Sequence, residues 1–106
     1  MGLFNIFKSF DIDESVKEFE KTKDAILVDV REKDEYEDGH IPQAINLPLS
    51  RINNDAEKVL KDKDKKIFVY CLSGARSSQA EKVLRDKGYK DIENIGGFMD
   101  YSGEIE

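Results

Sequence analysis

Apolar residues in this chain fall into two periods. Ala25-Ile26-Leu27-Val28-Asp29-Val30 and Ile67-Phe68-Val69-Tyr70 are short, β-branched and nearly continuous runs, the pattern of strands buried on both faces. Elsewhere the spacing widens to three and four. Val16 and Phe19 mark a short helix that Asp13 can cap and that runs to about Lys21, with Ser15-x-x-Glu18 as a second possible start. Ile52, Ala56, Val59 and Leu60 share one side of a helix spanning Ser50 to Lys61. Ala80, Val83 and Leu84 do the same for the helix after Cys71, which Gly88 ends with a left-handed cap.

Weaker signals fill the gaps. Lys33 to Glu37 predicts a helical turn or two, broken by Gly39-His40-Ile41-Pro42. Ala44-Ile45-Asn46-Leu47 predicts a brief strand stopped by Pro48, and Lys61 to Lys66 a solvated turn. Ile92 to Ile95 predicts the last strand, Gly96-Gly97 a tight turn, and Phe98 to Tyr101 a final helical turn. Strands alternating with helices in this rhythm predict an α/β fold, a mainly parallel sheet with helices on both faces. In such sheets ligands bind beyond the carboxyl ends of the strands. Cys71 follows a strand at such an end and precedes a helix.

Composition narrows what that site can be. The chain has 106 residues, enough for one core but not two, and is 38% charged with a net charge of −6. That charge argues against sequence-independent binding of nucleic acid or of an anionic membrane. Any anionic substrate must be drawn in by a local positive group. One cysteine forms no internal disulfide, and one cysteine with one histidine builds no zinc site. No apolar run approaches the roughly 18 residues of a membrane span. The start, Met1-Gly2-Leu3-Phe4-Asn5-Ile6-Phe7-Lys8, lacks the charged n-region of a signal peptide and has Ile6 where a myristoylation motif wants Ser or Thr. The expectation is a cytoplasmic monomer in which Leu3, Phe4, Ile6 and Phe7 cap the core, a partner or membrane contact being the other reading.

The candidate chemistry lies in Cys71-Leu72-Ser73-Gly74-Ala75-Arg76 and the following Ser77. A thiol at the amino end of a helix meets free N–H groups and the positive end of the helix dipole, both of which favour an anion. The thiolate is the reactive form of cysteine. Gly74 lets the backbone curl so that the N–H groups from Leu72 to Arg76 form an anion nest around the sulfur. Ser73 and Ser77 can donate further hydrogen bonds. Arg76 carries a planar fork of donors that can hold an oxyanion bidentately and stabilise a nearby thiolate. The bowl is small, suited to one sulfur atom or one persulfide.

With these residues in hand the chain resembles a single-domain rhodanese, a sulfurtransferase. Two motifs carry the resemblance. The first is Leu27-Val28-Asp29-Val30-Arg31-x3-Glu35-Tyr36-x2-Gly39-His40-Ile41-Pro42-x-Ala44-Ile45-Asn46-Leu47. The second is Val69-Tyr70-Cys71-x2-Gly74-x-Arg76-Ser77-x2-Ala80, followed by Leu84, Gly88-Tyr89 and Asn94-Ile95-Gly96-Gly97. Together they span about residues 24–101 of a domain expected to fill 1–106, with 1–12 as an N-terminal segment. The resemblance implies that Cys71 is the catalytic cysteine and that Cys71 to Arg76 form the active-site loop. It implies two-step chemistry through a cysteine persulfide, from a donor such as thiosulfate to cyanide, a thiol or a protein, with no metal or organic cofactor. Gln43 stands where many members have Gly, and Tyr101 where many have Trp, a change at the rim of the pocket.

Asp29, Arg31, Glu35 and His40 look like a second cluster but are read as structural. Asp29 ends a strand, Arg31 and Glu35 tie down the next segment, and the His40 ring satisfies local hydrogen bonds. Two other functions stay open. A cysteine phosphatase or arsenate reductase needs a wider loop and an acid, for which Asp100 is the nearest residue. A sulfur-sensing or interaction module is the other; the presence of both Cys71 and Arg76 weighs against it, since a purely structural descendant needs neither.

Overall fold

The computed structural model describes residues 11–106, so the expected core-capping role of Leu3, Phe4, Ile6 and Phe7 lies outside the described residues. The first helix, α1, is Ile12–Lys21. Its cap is Asp11 rather than Asp13, the Asp11 carboxylate accepting from the Glu14 amide at 3.3 Å. Starting one residue after Asp11 brings Ile12 into the buried stripe with Val16 and Phe19, a spacing of four and three on one helix face. Asp13 accepts instead from the Ser102 backbone at 2.9 Å and from its hydroxyl, tying the C-terminal segment to α1.

Strand β1 is Ile26–Asp29, followed by α2 at Lys33–Asp38 and β2 at Ile45–Asn46. A 3₁₀ turn, Leu49–Arg51, leads into α3, Ile52–Val59. The expected helix from Ser50 to Lys61 is therefore shorter at both ends. Pro48 precedes the 3₁₀ turn as its cap, and Leu60 ends α3 in a non-helical conformation while remaining buried. Ile52, Ala56 and Leu60 form the buried stripe; Val59 falls off it and is 44% exposed. Strand β3 is Lys66–Cys71, α4 is Ala75–Asp86 and β4 is Asp91–Gly97, with a 3₁₀ turn at Phe98–Asp100. Gly88 closes the segment after α4 at φ +97°, a left-handed conformation that favours glycine.

All four strands are parallel, in the order β2-β1-β3-β4. Side chains alternate through the sheet with period two. Val28, Ile67, Val69 and Cys71 point to the face covered by α3 and α4, where Ile52, Ala56, Ala80 and Leu84 meet them. Leu27, Phe68 and Tyr70 point to the other face and pack with Ile12, Val16 and Phe19 of α1. Tyr101 joins this second cluster, and so packs on the opposite face of the sheet from Cys71.

Gly96 and Gly97 form no tight turn: both belong to β4. Val69 pairs with Asn94 and Cys71 with Gly97, so β4 carries one extra residue between them. Gly96 sits in this bulge at φ +94°. A bulge re-aims the residues beside it, and here it brings the end of β4 against the loop after Cys71. A Cβ on Gly97 would lie 2.3 Å from the Leu72 carbonyl oxygen and 2.8 Å from Ser73 Cα. Only the bare backbone of glycine leaves room for the loop. Gln43, by contrast, adopts φ +74°, a strained conformation for a side-chain-bearing residue. This is the physical meaning of its standing where glycine is common.

Candidate active site

Cys71 ends β3 and is fully buried. Three residues later Gly74 adopts φ +105° and starts α4 as its cap, with no side chain satisfying the helix end. The Cys71 sulfur takes that role. The Gly74 amide donates to Sγ at 3.0 Å, the Ser77 hydroxyl lies 3.5 Å from it, and the backbone N–H groups of Ser73 and Ser77 also face it. Burial alone pushes the thiol pKa up; the hydrogen bonds from Ser77, Gly74 and Ser73 more than offset it, so the net shift is downward. Of the amides from Leu72 to Arg76 expected to curl toward the sulfur, those of Ser73 and Gly74 face it, joined by that of Ser77. Leu72, Ser73 and Ala75 are exposed on its outer side.

Sequence reasoning gave Asn94 no role of its own. Its Oδ1 accepts from the Ser77 hydroxyl at 2.8 Å and from the Gly96 amide at 3.0 Å, and its Nδ2 donates to the Gly74 carbonyl at 3.3 Å. One side chain therefore holds the bulge, the helix cap and the hydroxyl nearest the sulfur. The hint in the sequence is its place in the Asn94-Ile95-Gly96-Gly97 run at the end of a strand. Ser77 has one hydroxyl proton and three acceptors within reach, Asn94 Oδ1, Gly74 O at 3.1 Å and Sγ. It rests on the shortest of these and can turn to the sulfur when the thiolate forms.

Arg76 differs most from expectation. Its fork is not open: Nη1 and Nη2 donate to Glu35 Oε1 and Oε2 at 2.7 and 3.0 Å. This paired hydrogen bonding, with the Glu32 backbone amide also donating to Glu35, holds the Glu35 carboxyl at a pKa of about 2. Glu35 therefore does more than tie down its own segment; it links α2 to the first turn of α4. Both side chains are about one-third exposed. The Arg76 guanidinium also feels the Cys71 thiolate and Glu32.

The remaining members of that cluster are engaged with one another and with neighbouring backbone. The fully buried Asp29 carboxylate accepts from Arg31 Nε, Nη2 and backbone N–H, and Arg31 Nη2 also donates to the Gly39 carbonyl at 2.7 Å. The Arg31 guanidinium sits 4.4 Å over the Phe98 ring. His40 stacks on Tyr36 at 3.8 Å, its Nδ1 is 2.8 Å from the Tyr36 carbonyl, and its backbone pairs both ways with Glu106. Asp100 is exposed, and no hydrogen bond joins it to the loop among the described residues. A groove lined by Asp13, Lys17, Glu20, Gln43, Tyr101 and Glu104 includes no residue of the Cys71 loop. Among the described residues no helix is long and apolar enough to cross a membrane, and no three His, Cys, Asp or Glu side chains gather where they could hold a metal ion.

A parallel sheet with helices on both faces, and a cysteine cradled between strand and helix, define an α/β protein built around one thiol. The chain belongs to the rhodanese-like domain family, whose description matches residues 12–104. Its relatives include thiosulfate sulfurtransferase PspE of Escherichia coli, 37% identical over 73 residues that cover 69% of this chain and 70% of that protein. Thiosulfate sulfurtransferase GlpE of Coxiella burnetii is 37% identical over 82 residues, covering 76% of this chain and 75% of that one. Among solved structures, a rhodanese with anions from Escherichia coli superposes with a TM-score of 0.71 at 33% identity, over 77% of this chain and 96% of that one.

Proposed function

We propose that the protein is a sulfurtransferase that carries a sulfane sulfur on Cys71 as a persulfide. The observation that carries this reading is the Cys71 sulfur acting as the acceptor at the start of α4, within hydrogen-bond reach of Gly74 and Ser77. The thiolate attacks the outer sulfur of thiosulfate. A Cys71–S–S⁻ bond forms, the donor's S–S bond breaks, and sulfite leaves with the electron pair. Cyanide or a thiolate then attacks the outer persulfide sulfur, and the Cys71 thiolate is released. The negative charge stays within the loop in both steps, so the same amides of Ser73, Gly74 and Ser77 serve the thiolate and the persulfide.

Leu72 and Ala75 complete the loop and offer backbone more than chemistry, while Arg76 is the cation at its edge. The reading needs one copy of the chain and neither metal nor organic cofactor. A reducing compartment such as the cytoplasm suits a protein whose one cysteine must stay free.

Intact-mass spectrometry after incubation with thiosulfate tests the proposal. The expected result is a gain of one sulfur atom, absent in Cys71→Ala and reversed by cyanide with release of thiocyanate. A protein that stays at its unmodified mass overturns the proposal. One that accepts sulfur and never discharges it to cyanide or thiols is a sensor.

A further inference from the structure

Building on the sulfur-transfer reading, we infer that Glu35 sets the charge selectivity of the donor site, weighting it against dianionic donors such as thiosulfate and toward less charged ones. The Glu35 carboxylate occupies the two donors of Arg76 that a sulfonate would use, at 2.7 and 3.0 Å. A carboxylate matched to a guanidinium in this way is a built-in competitor for any planar or tetrahedral oxyanion.

The charges around the sulfur follow from these contacts. Arg76 and Glu35 cancel. Glu32 caps α2, lies close enough to act on Arg76, and accepts from the Ser50 hydroxyl at 3.0 Å. Arg31, the other cation acting on Glu35, is already paired with buried Asp29. With the thiolate formed, the mouth is therefore net negative, on a chain of net charge −6. Glu35 stays ionised across any working range, because its pKa is about 2. Arg76 keeps three further N–H groups that make no hydrogen bond to another described residue. An oxyanion can still approach side-on, so the effect is a bias in affinity and not exclusion.

Glu35→Gln removes the charge and keeps an oxygen for the Glu32 amide and for Arg76. Two donors with the same reacting sulfur separate charge from shape: thiosulfate, a dianion that releases sulfite, and benzenethiosulfonate, a monoanion that releases benzenesulfinate. An electrostatic energy scales with donor charge, so the logarithm of the response doubles from monoanion to dianion. Removing one unit charge at about 6 Å in water raises kcat/KM roughly tenfold for thiosulfate and roughly threefold for benzenethiosulfonate. The gain appears in KM and shrinks with added salt. Glu35→Asp, which retains the charge, does not reproduce it. Equal responses to the two donors, or a fall in kcat/KM for thiosulfate with an unchanged thermal melt, overturn the inference while leaving sulfur transfer standing. A wild-type protein that takes sulfur from neither donor overturns both.

Discussion

Replacing Ser77 by Ala isolates the contribution of one hydroxyl to the reactivity of Cys71. The Ser77 Oγ lies 3.5 Å from Sγ and is the foremost of the groups that lower the thiol pKa against the opposing effect of burial. A hydrogen bond to a charged acceptor contributes about 1.5–3 kcal/mol. At this long distance the lower figure applies, so the thiol of the variant ionises about tenfold less favourably and its pKa rises. The pH profile then has a distinctive shape. Well below the pKa the variant has about one-tenth of the wild-type thiolate. Each remaining thiolate is about threefold more nucleophilic, because intrinsic reactivity rises with pKa with a slope of about 0.4–0.5. Reaction with an aromatic disulfide should therefore be about threefold slower at low pH and about threefold faster at high pH, the curves crossing between. In folding terms the lowered pKa stabilises the native state fully above the ordinary thiol value of 9.0, and that gain disappears as pH falls through the native value. A Ser77→Ala profile that is lower at every pH, with its inflection unmoved, refutes the reasoning and makes Ser77 a packing residue only.

Two further substitutions test the support around the loop. Gly97→Ala places a methyl group against the Leu72 carbonyl and Ser73 Cα; since both are backbone, the loop must shift, and sulfur loading of Cys71 should fall at least tenfold with a stability loss of about 1–3 kcal/mol by urea unfolding. Loading at the wild-type rate would show that the close approach does not position the nest. Arg31→Ala leaves the Asp29 carboxylate buried without its cation and should cost about 3–5 kcal/mol, whereas the paired change Asp29→Asn with Arg31→Met should cost far less. Equal losses for the single and paired variants would contradict a buried-charge origin.

The strands around Val28 and Phe68, the helix after Cys71, the backbone freedom at Gly74 and the left-handed cap at Gly88 are legible in the sequence because each rests on neighbouring residues. A run of apolar β-branched residues, a helical spacing or a glycine needs no distant partner to be read. The position of Cys71 between strand and helix is local in the same sense, and so is the inward turn of the amides after it. Val59 lies outside the buried stripe because Ile52, Ala56 and Leu60, four residues apart, already fill the packing surface, and the width of that surface is set by the sheet beneath it.

What lay beyond the sequence are the contacts between segments far apart along the chain. Glu35 meets Arg76 across 41 residues, and Asn94 meets Ser77 across 17. The extra residue in β4 and the close approach of the Leu72–Ser73 backbone to Gly97 exist only once β3 and β4 are paired. That one thiol stands at the start of a helix is written in the residues around it, since backbone geometry and the helix dipole act over a single turn. Which charge faces the arginine beside it depends on the folded chain, because strong pairing of charges requires closeness in space, and that closeness is set by the packing of the whole sheet.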